Sequence, residues 1–209
     1  MMNADKSADR GKLIVLSGPA GSGKSTVLKE LFKLSDYKYS ISATTREPRS
    51  GEAEGEDYHF MPVEQFFEKV SDGEMLEYVE YAGNYYGTLR GPIEKMIGEG
   101  HNVILEIEVE GALNVKEKYP GTLLIFLATP TYSEEKIRLK KRGTETEKSI
   151  NERLGRAKRE LESMHKYDYL VLNESDAQKK AAHRINCIVE AEKCRVSPEK
   201  AVKFVESYF

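Results

Sequence analysis

The sequence predicts an α/β fold in which helices flank a parallel sheet, with a small α+β lobe inserted into it and a helical lid. Two continuous apolar runs, residues 13–16 and 123–128, are typical of strands that are buried on both faces. Segments with helical spacing of apolar residues separate such runs, which indicates right-handed βαβ units. From residue 45 the composition becomes polar and turn-rich, which favours an insertion.

Size and charge restrict the class of protein. A chain of 209 residues with 39% hydrophobic and 32% charged positions suits one compact domain with inserted lobes. Its 32 Lys+Arg and 35 Asp+Glu leave a net charge of −3, too balanced for a dedicated nucleic-acid binder. We therefore expect no nucleic-acid partner.

The cellular setting is predicted from apolar runs and cysteines. No run approaches the ~20 apolar residues that a membrane span needs, and the polar N-terminus argues against a signal peptide. Cys187 and Cys194 provide neither a disulfide framework nor a Cys-rich zinc site. We expect a cytoplasmic protein without membrane attachment.

The N-terminal part combines a leader, the start of a core domain and the lobe. Residues 1–11 lack apolar periodicity and predict a disordered leader. The core is predicted over residues 12–41 and 91–196, with the lobe inserted at 42–90. We expect core strands at 13–16 and 39–43 with a helix at 25–34, and in the lobe strands at 58–61 and 75–81, a helix at 63–70 and a hairpin at Gly83-Asn84.

The second half returns to the core and adds a lid and a tail. A basic helix at 133–141 and a helix at 150–164 enclose a polar segment, which predicts a lid over residues 138–153. Residues 197–209 predict a helical tail, with Ser197 as N-cap and Pro198 in the first helical position. The remaining core elements are helices at 91–99, 112–119 and 176–193 and strands at 103–109, 123–128 and 169–172.

The strongest motif is the phosphate-binding loop at residues 18–25, which fits G-x-x-x-x-G-K-[ST] between a predicted strand and a predicted helix. Backbone N–H groups and the helix dipole attract phosphates, Lys24 suits the β- and γ-phosphates, and the Ser25 hydroxyl suits Mg²⁺. The motif predicts binding of a nucleoside triphosphate with Mg²⁺. The residues predicted to bind it here are Gly18, Pro19, Ala20, Gly21, Ser22, Gly23, Lys24, Ser25 and Thr26.

Carboxylates and arginines predict the rest of the site. Glu106 and Glu108 lie near the end of the apolar strand predicted at 103–109, and the alternation of side chains places both on one face of it. Ligands of open α/β sheets bind outside the carboxyl ends of the strands. The two carboxylates could hold a polar substrate group or, for Glu106, Mg²⁺ through water. Guanidinium groups bind phosphate in a bidentate manner, so Arg46 and Arg49 predict a second phosphate site. The arginines expected to close on the transferring phosphates are Arg138, Arg142 and Arg153.

Five motifs in this order resemble the guanylate kinase family, bacterial type, over about residues 12–192. They are the phosphate-binding loop, residues 44–52 (TTREPRSGE), 55–60 (GEDYHF), 83–88 (GNYYGT) and 142–147 (RGTETE). The resemblance implies a P-loop NTPase-type core, a GMP-binding lobe, a lid, and the reaction ATP + GMP ⇌ ADP + GDP. It implies GMP as acceptor, with dGMP as a further candidate.

The resemblance also implies individual roles. A carboxylate such as Glu77 can accept both N1–H and N2–H of guanine, and hydroxyls can donate to its O6. The GMP phosphate, with a second pKa of about 6, needs no general base. The implied catalytic residues are Lys24, Arg46, Arg138, Arg142 and Arg153. The implied ligands of the GMP phosphate are Arg46, Arg49, Tyr58 and Tyr86, and the residues implied to read the base are Ser42, Glu77, Thr88 and Glu108, with Glu106 also in the GMP site. Asn173 is implied to lie on the adenine side of the ATP site.

The chain departs from the family pattern, and two other functions stay open. Glu106 and Glu108 stand where the family has Asp-x-Asp or Glu-x-Asp, and Glu174-Ser175 replaces Asp-Asp. One alternative is a different P-loop phosphotransferase; the arginine pair and Glu77 argue against it. The other is a non-enzymatic guanylate-kinase-like binding module, which typically lacks the intact loop that Lys24 and Ser25 complete here. Nothing in the sequence predicts an oligomeric state.

Overall fold

The computed structural model describes residues 10–81, 83–141 and 147–209. Residues 1–9 of the leader predicted at 1–11, and residues 142–146 of the predicted lid, which include Arg142, lie outside the described residues. In chain order the elements are β1 (Leu13–Ser17), α1 (Lys24–Leu31), β2 (Lys38–Tyr39), β3 (Ser42–Thr44), β4 (His59–Phe60), α2 (Val63–Ser71), β5 (Met75–Tyr81), β6 (Asn84–Leu89), α3 (Arg90–Gly98), β7 (Val103–Glu106), α4 (Val109–Lys118), β8 (Leu123–Ala128), α5 (Tyr132–Lys141), α6 (Glu147–Glu162), β9 (Tyr169–Leu172), α7 (Gln178–Lys193) and α8 (Pro198–Tyr208), with a 3-10 turn at Met164–Lys166.

The core is a five-stranded parallel sheet in the order β2-β7-β1-β8-β9. One face packs against α1 and α7, where Ile14 and Leu16 cluster with Leu28 and Val189. The opposite face packs against α3 and α4 through Val15 and its neighbours. Burial on both faces explains the continuous apolar runs, and the predicted α/β class with a parallel sheet flanked by helices is confirmed.

The lobe is a second sheet of four strands in the order β4-β3-β6-β5. The β5–β6 pair is the hairpin that Gly83-Asn84 predicts. Helix α2 places the fully buried Phe66 against Ala43 and Met75, which gives the lobe a small apolar core of its own. The lobe therefore has apolar packing of its own, and Leu76 of β5 also packs into the apolar cluster of the main sheet.

Two predicted core strands are wrong in their extent. The single strand expected at 39–43 is divided, because β2 pairs with β7 in the core whereas β3 pairs with β6 in the lobe. Ser40 lies between them and still donates its N–H to the Ile104 carbonyl at 3.1 Å. The strand expected at 103–109 ends at Glu106, and Glu108 is an extended residue (φ −70°, ψ 162°) that precedes α4.

Helices α5 and α6, which contain the described part of the predicted lid, and the tail helix α8 complete the fold. Helices α5 and α6 share a small cluster of Leu139, Ile150 and Leu154, against which Ala20 packs. Helix α8 begins at Pro198, and Ser197 caps it by accepting the N–H of Lys200 at 3.1 Å. Among the described residues, no helix has both the length and the apolarity to cross a membrane.

Candidate active site

A cavity of about 440 Å³ lies where the carboxyl ends of the core strands meet the lobe. Because parallel strands end at the same edge, residues far apart in sequence converge there. The core supplies Lys24, Ser25, Tyr39, Glu106, Ile107, Glu108, Gly111 and Arg153; the lobe supplies Ser42, Arg46, Arg49, Tyr58, Glu77, Val79, Tyr81, Tyr86 and Gly87.

The phosphate-binding loop connects β1 to α1 in a tight curve. Gly18 and Gly23 have φ angles of 142° and 88°, which side-chain-bearing residues rarely adopt. Lys24 folds back over the loop and donates its Nζ to the carbonyls of Gly18 at 2.6 Å and Pro19 at 3.4 Å. The ammonium group therefore lies at the mouth of the loop, on the cavity wall.

Asn173 and Arg138 lie behind the loop. The Asn173 Nδ2 donates to the Ser22 carbonyl at 2.8 Å, and Arg138 donates to the carbonyls of Asn173 at 2.7 Å and Ser22 at 3.4 Å. A Cβ on Gly23 would overlap with that Nδ2. These contacts brace the loop; adenine binding by Asn173 and phosphate neutralisation by Arg138 stay predictions.

Ser25 and Glu106 form an oxygen pair at the end of β7. The Ser25 Oγ donates to Glu106 Oε1 at 3.1 Å. A hydroxyl and a carboxylate are hard oxygen ligands of the kind Mg²⁺ prefers, and Mg²⁺ commonly completes its shell with phosphates and water. Within the described ranges no cluster of three or more His, Cys, Asp or Glu side chains could hold a metal alone. The pair thus suits a metal that arrives with ATP.

Arg46 is held in place before any phosphate binds. Its guanidinium forms a bidentate pair with Glu52, at 3.0 Å for both contacts, and lies 5.4 Å from the centre of the Tyr58 ring. The Glu52 hydrogen bonds raise the pKa of the Arg46 guanidinium, burial opposes the shift, and Tyr86 adds to it. Hydrogen bonds from Arg46 and from the Arg49 backbone lower the pKa of the Glu52 carboxyl. This role of Glu52 was not predicted from the sequence. Its position three residues after Arg49 was the signal that could have indicated a contact with the arginine pair.

Glu77 is the buried acid of the lobe, with 3% of its surface exposed. Its strand carries a β-bulge between Met75 and Glu77, which directs Met75 into the lobe core and Glu77 into the cavity. Thr88, its cross-strand partner, donates to Glu77 Oε1 at 2.7 Å. Burial raises the pKa of Glu77, while the Thr88 hydrogen bond opposes the shift. Ser42 pairs with Thr88 on the next strand, so three of the predicted base-reading residues, Ser42, Thr88 and Glu77, are adjacent.

Glu108 reaches the cavity from a different element than expected. It is the residue before α4 rather than part of β7, and its side chain makes no capping hydrogen bond. The expectation that Glu106 and Glu108 share one strand face is therefore wrong, although both side chains line the cavity. Glu110, which follows, is exposed.

Several cavity residues were not expected from the sequence. Tyr39 and Ile107 follow the rule that strand ends build the site, so position alone was the signal for them. Tyr81 contacts α6, because Arg156 Cζ lies 4.9 Å from the centre of its ring, and its ring is 6.3 Å from that of Tyr86. The sequence carries no signal for that contact.

Glu135 is a buried acid behind the phosphate-binding loop. It is 3% exposed, and its Oε1 has no hydrogen-bond partner among the residues that the structure describes. Burial, aided by the negative charge of Glu160, raises the pKa of Glu135 to about 7, and Lys24 opposes the shift. The polar character of α5 in the sequence concealed this burial.

We expect Glu135→Gln to stabilise the protein above neutral pH. The folded state retains a proton on Glu135 up to about pH 7, whereas the ordinary pKa of the group is 4.5, so stability falls as pH rises between these values. One pKa unit is about 1.4 kcal/mol, and the effect is up to about 3 kcal/mol. Denaturant unfolding at pH 5 and pH 8 would measure it. The exposed Glu117→Gln serves as control, and parallel pH curves for wild type and Glu135→Gln would contradict the prediction.

The comparisons with known proteins agree with this geometry. Residues 10–192 match the family model described as guanylate kinase. The chain is 52% identical over 188 residues to a guanylate kinase of Bacillus cereus, covering 89% of this chain and 91% of that one. It is 46% identical over 188 residues to that of Clostridium tetani, covering 90% and 89%.

A solved structure supports the same assignment. The crystal structure of guanylate kinase from Anaplasma phagocytophilum aligns with a TM-score of 0.72 and 32% identity, over 90% of this chain and 89% of that chain. This likeness confirms the P-loop NTPase-type fold that the loop motif indicates. Since the family model spans most of the sequence and the lobe and loop meet at one cavity, the chain belongs to the guanylate kinase family.

Proposed function

We propose that the protein transfers the γ-phosphoryl group of ATP to GMP, giving ADP and GDP, and that it does so in the cytoplasm. The observation that carries the proposal is the joint cavity, which brings Lys24 of the phosphate-binding loop and Glu77 of the lobe into one space. The similar proteins from Clostridium tetani and Bacillus cereus are guanylate kinases, which supports the proposal. Purine nucleotide recycling is the corresponding metabolic role.

The lobe suits a guanine base. Glu77 offers a buried carboxylate that can accept two adjacent N–H donors, and Thr88 and Ser42 offer hydroxyls beside it. Adenine presents the wrong donors and acceptors, and would leave the carboxylate unpaired. Buried groups left unpaired by the wrong substrate can give a discrimination of about 10⁴ to 10⁵.

The acceptor phosphate would lie against the arginines of the lobe. Arg46, already oriented by Glu52, offers a fixed donor array, and Arg49, Tyr58 and Tyr86 line the same wall. Deoxyguanosine monophosphate presents the same base and phosphate, so dGMP is a further acceptor under this proposal.

The chemistry needs alignment and charge neutralisation rather than a base. The phosphate of GMP, with a second pKa of about 6, is largely deprotonated at neutral pH and can attack directly. Lys24, Arg46 and Arg153 line the cavity and would balance the charge that develops in line, with Arg138 and Arg142 as further proposed contributors. Ser25 and Glu106, the latter through water, would hold Mg²⁺, which neutralises phosphate charge when bound.

A coupled spectrophotometric assay tests the function. With ATP as donor, we expect the highest kcat/KM with GMP, lower values with dGMP, and turnover near background with AMP, UMP, CMP and dTMP. Faster turnover of a non-guanine nucleotide would favour the different P-loop phosphotransferase. GMP binding in calorimetry without any turnover would favour the binding module, and either result would overturn the proposal.

A further inference from the structure

Gly111 lies against the buried carboxylate of Glu77. It is the third residue of α4, and a Cβ added to it would lie 2.9 Å from Glu77 Oε2 and 3.4 Å from the Cδ of the same carboxyl group. A distance below 3.0 Å is essentially never seen for a real Cβ, so the carboxylate occupies the space that any side chain at this position would need.

The backbone does not require glycine at this position. Gly111 is helical, and glycine in a helix is less stable than alanine by about 1 kcal/mol. At Gly91, Gly98 and Gly155, which also lie in helices, an added Cβ would meet nothing within 4 Å. The contact with Glu77 therefore distinguishes Gly111 from these other helical glycines.

We propose that Gly111 is a positioning residue for base recognition, because its lack of a side chain lets α4 approach β5 and keeps the Glu77 carboxylate in its orientation. This inference rests on the proposed reading of guanine by Glu77. Thr88 of β6 donates to Oε1, and Gly111 of α4 lies against Oε2. Two different elements therefore restrict the positions of the two carboxylate oxygens. Both oxygens are needed to accept two guanine donors in fixed geometry.

A methyl group at position 111 acts on the carboxylate rather than on the fold. The nearest atom is the end of a side chain, which can move by a few tenths of an ångström, and alanine favours the helix. Glu77 is buried, however, so a displaced carboxylate loses its alignment with the base and with Thr88. Gly111→Ala should therefore weaken recognition of the base without lowering the stability of the fold.

The test compares Gly111→Ala with Gly91→Ala, a matched change at the second residue of α3, where the added methyl group is free of contacts. We expect the KM for GMP to rise about tenfold or more in Gly111→Ala, equivalent to one lost hydrogen bond. The KM for ATP and kcat should stay within twofold, and the melting temperature should not fall. Gly91→Ala should leave all four values unchanged.

A double-mutant cycle with Glu77→Asp shows whether the effect passes through the carboxylate. Aspartate is shorter by one methylene group and leaves room for the methyl, so Gly111→Ala should raise the GMP KM by a smaller factor in that background. The inference is overturned if the factor is equal in both backgrounds or if Gly111→Ala behaves like Gly91→Ala. It is also overturned if both KM values rise with a loss of melting temperature.

Failure of the proposed function gives a different pattern. If Glu77→Gln leaves the GMP KM unchanged, Glu77 does not read the base, and the assignment of the base site is lost together with this inference. If Glu77→Gln raises the GMP KM while Gly111→Ala does not, the proposed function stands and only the role of Gly111 is excluded.

Discussion

Replacement of Lys24 by alanine is expected to lower kcat for phosphoryl transfer by at least about 10³-fold, since a positioned cation on the transferring phosphate contributes on that scale. The Lys24 ammonium lies at the mouth of the phosphate-binding loop, held by the carbonyls of Gly18 and Pro19. Its removal takes away charge that no neighbouring group of the loop replaces, because Ser22 and Ser25 are neutral. Steady-state turnover with saturating ATP and GMP measures the effect.

Lys29→Ala is the matched control for Lys24→Ala. Lys29 belongs to the same helix, is exposed, and lies outside the cavity lining. Circular dichroism and GMP binding by calorimetry should be the same for both variants and wild type, because Lys24 contacts the loop rather than the lobe. Near-normal turnover in Lys24→Ala would remove the lysine from the reaction.

Replacement of Glu77 by glutamine is expected to raise the KM for GMP by about 10- to 100-fold, as a hydrogen bond to a charged group contributes about 1.5–3 kcal/mol. One accepting oxygen becomes an NH₂ group that faces the donors of guanine. Glutamine keeps the shape of the side chain and an oxygen for Thr88. It also removes an acid whose pKa is raised by burial, so stability should not fall.

Two comparisons isolate the effect to the base site. The KM for ATP should be unchanged in Glu77→Gln, because the phosphate-binding loop is separate from the lobe. Glu80→Gln, an exposed change on the same strand, should leave the KM for GMP unchanged. Initial rates over a range of GMP concentrations at fixed ATP provide the measurement. An unaltered GMP KM in Glu77→Gln would exclude Glu77 from base recognition.

The parts of the fold that sequence could predict are those with a local cause. The strands over 123–128 and 169–172 are apolar runs between turns, and the structure has them at the predicted residues. The glycines around Lys24 specify a loop whose backbone angles few other residues adopt. Ser197 and Pro198 mark the start of the last helix for the same local reason.

The parts that sequence could not predict depend on contacts between distant segments. Residues 39–43 have one continuous extended pattern, but the first part pairs with β7 in the core sheet and the second part pairs with β6 in the lobe. The amide of Asn173 meets Ser22 across 151 positions, which no spacing rule indicates. Glu135 is buried only because α5 packs on the loop near Gly21.

The bulge in β5 determines which residues of this strand face the lobe core and which face the cavity. With one extra residue, Leu76, the strand presents Met75 to the apolar interior of the lobe and Glu77, Val79 and Tyr81 to the cavity. In a regular strand residues 75 and 77 would share a face, so the bulge is what places Met75 and Glu77 on opposite faces. The extra residue, Leu76, is itself buried with Leu13 and Val15 in the apolar cluster of the main sheet. Consecutive residues of one strand are thereby anchored in the lobe and in the core, and the proposed base-reading carboxylate follows directly where the two meet.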